Sequence, residues 1–314
     1  MGKIAFVFPG QGSQIVGMGK ELADANKRVQ EIFAKADESL HEDLTEIIFN
    51  GPQEKLTLTV NAQPALLTTS IAILEIFKEA NITPDFVAGH SLGEYTALVA
   101  AGAISFEDAV TTVRKRGELM EEAVPAGLGT MAAILGMESD ELRLVTEQVS
   151  MNGEAVQLAN INCPGQIVIS GTTGGVEAAC GLAKEKGAKR AIPLEVSGPF
   201  HSVLMEPASG KLRDALDSIE IKDARIPVIA NVNAKEMISS DIIKENLINQ
   251  LFSPVLWQTS VEYMLDQGVD TFIEIGPGKV LSGLVKKVNR RVNTYAISDL
   301  ETLQNTINAL KEVD

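Results

Sequence analysis

Residues 89–93 read Gly89-His90-Ser91-Leu92-Gly93, directly after the apolar run Phe86-Val87-Ala88 and directly before the helix-forming run from Leu92 to Ala101. A serine on a sharp strand-to-helix turn projects its hydroxyl outward, and flanking glycines remove side chains that would collide with neighbouring backbone. A helix that starts at the serine also aims free N–H groups and its positive dipole end at a developing oxyanion. This is the spacing of a nucleophile elbow, and it points to acyl chemistry on Ser91. The five-residue pattern is weak alone, so other residues must supply the rest of the chemistry.

A serine hydroxyl needs a nearby base, usually histidine. The chain holds three histidines. His90 adjoins the serine and should point away from it, and His41 lies in a polar stretch that reads as a helix end. His201, in the proline-stiffened loop Ser197-Gly198-Pro199-Phe200-His201, is the best partner for Ser91. No carboxylate announces itself as a third member; Asp, Glu, Asn or a backbone carbonyl could orient His201.

Arg116 is the next chemical candidate. Ser105-Phe106-Glu107-Asp108 resembles a capping box, and the helix it opens carries Ala109, Val110, Val113, Gly117 and Met120 on one apolar face. At 100° per residue Arg116 falls near that face, Lys115 points the opposite way and Arg114 lies to the side. A guanidinium directed inward needs an anion: either a protein carboxylate or the carboxylate of a substrate. The loop Gly10-Gln11-Gly12-Ser13-Gln14 matches neither a dinucleotide fingerprint, with Ile15 at the third glycine position, nor a P-loop, with Gln14 and Glu21 at required positions. As a glycine-flanked turn after a strand it can offer the backbone N–H of Gln11 to an oxyanion. Gly276-Pro277-Gly278-Lys279 also fails as a P-loop and reads as a turn opening a helix.

The elements that must position these residues alternate between strand and helix. Ile4 to Phe8 reads as a buried strand, helical patterns cover about Lys20 to Ser39 and Pro64 to Ala80, and strands recur near Pro227 to Asn231 and Asp270 to Ile275. That rhythm predicts an α/β fold, a hydrolase-like three-layer domain with a mainly parallel sheet and reactive groups at its strands' carboxyl ends. After Pro125-Ala126-Gly127-Leu128-Gly129 the order becomes βαββαβ, which predicts an inserted ferredoxin-like subdomain over 127–197 within a large catalytic domain of 1–126 and 198–314. The cleft between them is the natural place for substrate.

With 314 residues, 45% hydrophobic and 22% charged, the composition is that of a soluble globular protein. Its net charge of −15 argues against nucleic acid and against an anionic membrane surface. The N-terminal apolar run is too short for a signal core or a span, and the two cysteines, Cys163 and Cys180, have no metal-ligand spacing, so a cytoplasmic location is expected. Two basic clusters, Lys184, Lys186, Lys189 with Arg190, and Lys286, Lys287 with Arg290 and Arg291, are either solvated helix faces or a docking patch for an acidic partner.

Taken together, Gly10-Gln11-Gly12-Ser13-Gln14, Gly89-His90-Ser91-Leu92-Gly93-Glu94-Tyr95, Arg116-Gly117, Gly198-Pro199-Phe200-His201-Ser202 and Glu274-Ile275-Gly276-Pro277-Gly278-Lys279-Val280-Leu281 resemble the malonyl-CoA:acyl carrier protein transacylases of fatty-acid synthesis. The resemblance runs in order along nearly the whole chain, and the length predicts a stand-alone enzyme rather than a megasynthase module; a monomer is expected. It implies that Ser91 is acylated, that His201 is its general base and then acid, and that Arg116 clamps the malonyl carboxylate. It further implies an oxyanion hole from the backbone N–H groups of Gln11 and Leu92. Gln250, which alone reads as a polar helix-end residue, matches a family glutamine whose backbone carbonyl orients the histidine. Phe200 matches the malonyl-selecting form, where methylmalonyl-selecting relatives carry a smaller serine. The implied partners are malonyl-CoA and acyl carrier protein, with no metal and no bound cofactor. Two rivals are a serine hydrolase sending the same acyl-enzyme to water, which the arginine disfavours, and a non-enzymatic carrier-binding module, which the presence of both Ser91 and His201 disfavours.

Overall fold

A computed structural model describes residues 2–125 and 127–311. The described strands are β1 (Lys3–Phe8), β2 (Phe86–Gly89), β3 (Gly129–Leu135), β4 (Val156–Cys163), β5 (Gln166–Thr172), β6 (Arg190–Pro193), β7 (Val228–Ile229), β8 (Glu236–Met237), β9 (Val269–Ile275) and β10 (Asn293–Ile297). The larger sheet has the order β10-β9-β1-β2-β7-β8 and is parallel except for its β7–β8 edge pair. In β1 the side chains of Ile4, Phe6 and Phe8 join one buried cluster, whereas Ala5 and Val7 join a second with Trp257, Val261, Leu284 and Val285. Both faces of the sheet are therefore covered by helices, which is why β1 is an unbroken apolar run. The chain has the three-layer α/β architecture expected of it.

The second sheet is antiparallel, in the order β4-β5-β3-β6. With the helices Ser139–Ser150 and Thr173–Glu185 it makes the ferredoxin-like βαββαβ arrangement. Asn160 in β4 bridges to Val255, so this small sheet is tied to the segment that follows Gln250.

Two helices differ from the sequence expectation. The span Lys20 to Ser39 is two helices, Lys20–Ala25 and Lys27–Leu40. Asn26 breaks it with an extended backbone and accepts the Arg28 N–H at 2.9 Å; the side-chain cap competes successfully with helix continuity. The helix expected from Pro64 starts at Thr59, with Pro64 inside it. Nearly every residue of Thr59–Phe77 is buried, so packing outweighs the lost proline N–H. The stretch Thr59–Ala80 is long and apolar enough to cross a membrane, yet 83% of its apolar window is buried inside the protein, as a core helix would be.

The glycines of the elbow are required by close approach. A Cβ on Gly89 would overlap the Gly93 carbonyl group, and one on Gly93 would overlap the Phe8 carbonyl oxygen. Gly93→Ala is expected to destabilise the protein by about 1–3 kcal/mol, because backbone cannot move aside as a flexible side chain can. A lowered thermal midpoint, with a matching loss of transfer activity, checks it.

Candidate active site

Ser91 sits between β2 and the helix Leu92–Ala100, with a positive φ of 51° and ψ of −104°. A non-glycine residue holds such a backbone only where its surroundings over-determine it. Here they do: the Ser91 N–H donates to Asn231 Oδ1 at 2.7 Å, and Gln250 Nε2 donates to the Ser91 carbonyl at 2.9 Å. Asn231 is itself tied back to the Gly89 carbonyl through Nδ2, at 2.7 Å.

His201 Nε2 lies 2.7 Å from Ser91 Oγ, and His201 Nδ1 lies 2.8 Å from the main-chain oxygen of Gln250. A carbonyl oxygen can only accept, so the proton is on Nδ1 and the Nε2 lone pair faces the serine hydroxyl. This is the tautomer a general base needs. Burial and the nearby Arg116 charge hold the His201 imidazole down to about 3, against the bond to Gln250 that raises it. The ring is therefore neutral near pH 7. Its loop is braced by Gln157 of β4, which accepts the Val203 N–H at 3.0 Å and donates to the His201 carbonyl at 3.3 Å. The other histidines are elsewhere: His41 is an exposed helix cap, and the His90 ring turns to Asn162 Oδ1 at 2.8 Å.

Arg116 is 1% exposed, on the inward face of the helix Phe106–Glu122 that Ser105 caps. Its Nη1 donates to Gln63 Oε1 at 2.7 Å, and its Nη2 donates to Gln250 Oε1 at 2.9 Å and to Ser91 Oγ at 3.0 Å. Among the described residues no carboxylate pairs with it, and its Nε is buried without a partner. Of the two anions the sequence left open, a protein carboxylate in ion-pair contact is absent there. Gly117 explains how Gln63 reaches it: a Cβ at 117 would sit 2.9 Å from Val60 Cα, so only glycine lets the two helices approach this closely.

A Cβ on Gly10 would overlap the His90 carbonyl oxygen, which brings the Gln11 turn against the elbow. Among the described residues the backbone N–H groups of Gln11 and Leu92 make no hydrogen bond. A cavity of about 310 Å³ opens here, lined by both of these residues with Ser91, Arg116, Phe200 and His201, and by Met131 and Asn160 of the small sheet. Gly276–Lys279 instead forms the turn before the helix Val280–Val288, whose first N–H groups, those of Leu281 and Ser282, are accepted by Glu274.

Gln63, Asn231 and Glu94 belong to this cluster, although no sequence reading names a role for them. Only Glu94 carried a signal, as the single charged residue in the apolar helix Leu92–Ala100.

A hydroxyl facing a neutral imidazole, beside free N–H groups and a buried cation at the carboxyl end of a parallel sheet, defines an α/β enzyme of acyl transfer. The chain matches the acyl transferase domain family over residues 5–304 and belongs to that family. It is 65% identical, over 99% of this chain and 98% of the other, to the malonyl CoA-acyl carrier protein transacylase of Bacillus subtilis (strain 168). Among solved structures it is similar to the malonyl CoA-acyl carrier protein transacylase of Clostridium perfringens, with a TM-score of 0.96 at 44% identity, covering 99% of this chain and 98% of that one. It is also similar to a malonyl-transacylase solved in complex with its type II PKS acyl-carrier protein, with a TM-score of 0.95 at 43% identity, covering 98% of this chain and 99% of that one.

Proposed function

We propose that this acyltransferase moves a malonyl group from malonyl-CoA to the phosphopantetheine thiol of acyl carrier protein through a malonyl ester on Ser91. The observation that carries the reading is the buried Arg116, with no carboxylate partner among the described residues and within 3.0 Å of the serine Oγ. In the reaction His201 takes the Ser91 proton as Oγ attacks the thioester carbon. The N–H groups of Gln11 and Leu92 hold the oxyanion, and the imidazolium returns its proton to the departing CoA sulfur. The second half-reaction reverses these steps with the carrier thiol as nucleophile. A malonyl carboxylate seated on Arg116 would offset the charge that depresses His201, so a charged acyl group makes its own base stronger. Phe200, buried in the lining of the cavity, is the side chain that would limit a substituent on the malonyl carbon in this reading.

Malonyl-CoA alone should raise the intact mass of the protein by one malonyl group on Ser91, and carrier thiol should remove it. Rapid release of free malonate without an acceptor would instead make the protein a hydrolase.

The same reading takes 127–197 as a small subdomain that caps the large one, supported by its own antiparallel sheet. It places the protein in the cytoplasm, in keeping with its buried apolar helix and free cysteines. Carrier docking falls to the two basic clusters. Lys287 Nζ donates to Gln166 Oε1 at 2.7 Å, and the Lys189 side chain lies along Gly136, whose N–H bonds the Gly165 carbonyl at 2.8 Å. Both clusters therefore meet at the β4–β5 hairpin, about 10 Å along β4 from the cavity residue Asn160. Lys189→Glu with Lys287→Glu is expected to raise the KM for carrier protein about three- to tenfold, with malonyl-CoA loading unchanged. Separate assays of the two half-reactions check it.

A further inference from the structure

Glu94 is buried one turn after Ser91, and none of the transfer steps uses it. Its Oε2 accepts from the Asn231 backbone N–H at 2.9 Å and from Gln250 Nε2 at 3.0 Å. Its Oε1 is buried and, among the described residues, without a partner. Asn231 and Gln250 are the two residues that clasp the Ser91 backbone. A carboxylate only accepts, so it forces the Gln250 amide to turn Nε2 toward it and therefore Oε1 toward Arg116. With the amide reversed, Gln250 Nε2 would face the Arg116 donors and its Oε1 would face a carboxylate. Glu94 thus governs a side chain that reaches Ser91 and Arg116 together.

Its charge is placed to act on Arg116 as well. The titratable groups around it are Arg116 on the helix Phe106–Glu122, Tyr95 beside it, His201 on its loop and His90 before the elbow. Burial pushes the Tyr95 hydroxyl up to about 12 and holds His201 down to about 3, and it lowers His90 too, so these are neutral near pH 7. Arg116 is left as the charge that opposes Glu94. Burial pushes the Glu94 carboxyl up to about 7, against the bonds from Asn231 and Gln250 and the attraction of Arg116.

We propose that Glu94 is a positioning residue that holds Ser91 through Gln250 and Asn231 and, as a buried countercharge to Arg116, sets how strongly that arginine favours a charged acyl group over a neutral one. This rests on Arg116 being the clamp for the acyl carboxylate. Ionised, Glu94 offsets the guanidinium and weakens its hold on malonyl; protonated, it leaves the guanidinium at full strength.

The test is the ratio of kcat/KM for malonyl-CoA to that for acetyl-CoA, followed from roughly pH 6 to 8. Because kcat/KM reports the free enzyme and free substrate, ionisation of His201 and of the CoA phosphates is the same for both substrates and cancels in the ratio. In the native enzyme the ratio should fall about three- to tenfold as pH rises, as expected for charges facing each other across one buried amide. Glu94→Gln keeps an acceptor without the charge, and its ratio should be flat. Glu94→Asp keeps the charge on a shorter arm, so the slope should persist while kcat drops for both substrates. A flat native ratio, or an undiminished slope in Glu94→Gln, overturns the proposal; if Glu94→Gln does not fold, the native and Glu94→Asp profiles still decide. Arg116→Ala separates the two levels: unchanged selectivity there means the clamp has failed, whereas lost selectivity with a persisting slope in Glu94→Gln rejects Glu94 alone.

Discussion

His201→Ala is expected to slow malonyl transfer by roughly 10⁴- to 10⁶-fold, the range found when the base of a serine nucleophile is removed and the oxyanion donors remain. The bond from Ser91 Oγ to His201 Nε2 is the one route by which the cluster takes the hydroxyl proton, since Arg116 only donates. Loading of Ser91 by malonyl-CoA, read as a single-turnover rate by intact mass, measures it. A loss under tenfold would mean that another group activates the serine. The depressed imidazole adds a sign to the native profile. A His201 held down to about 3 in the free enzyme stays in its base form through mildly acidic pH, so kcat/KM for loading, which reports the free enzyme, should show no acidic limb near 6.5. A clear fall centred there would show that the imidazole is not shifted.

Arg116→Ala is the second large effect. Its kcat/KM for malonyl-CoA should fall roughly 10²- to 10⁴-fold, the cost of leaving a buried carboxylate without its partner, while acetyl transfer persists. The same substitution removes donors from Gln63 and Gln250, so a thermal melt should accompany it. Competition between the two acyl-CoAs, read by the mass of the acyl-serine, gives the selectivity directly; an unchanged ratio would sink the clamp. Arg116→Lys should fall between the two, because an ammonium carries the charge but cannot reach Gln63, Gln250 and substrate from one planar fork.

The residues with a local signature were legible in the sequence. Ser91 announces itself through glycines and a strand-to-helix change, and the structure shows why each glycine is there, since Gly89 and Gly93 sit where backbones nearly touch. Helical period alone turns Arg116 inward, and it is buried. Gln250 was a different case. By itself it is one more polar residue at a helix end, and only a family resemblance marks it. In the structure its backbone oxygen, Oε1 and Nε2 meet His201, Arg116 and Ser91 respectively. Asn231 and Gln63 had no local mark of any kind.

The chain's own pattern therefore determined which elements form, which faces turn inward, and that a serine on a tight turn is available for acyl chemistry. Periodicity and steric fit act over a few residues, so they can be read without a fold. Elimination among three histidines points to His201 as the partner of that serine, but how the two meet, and what holds the histidine, was decided by tertiary structure. The Ser91–His201 contact spans 110 residues and the Gln250–Ser91 contact spans 159. Such pairings depend on the order of strands in the sheet and on where each crossover returns, and local pattern carries no record of either.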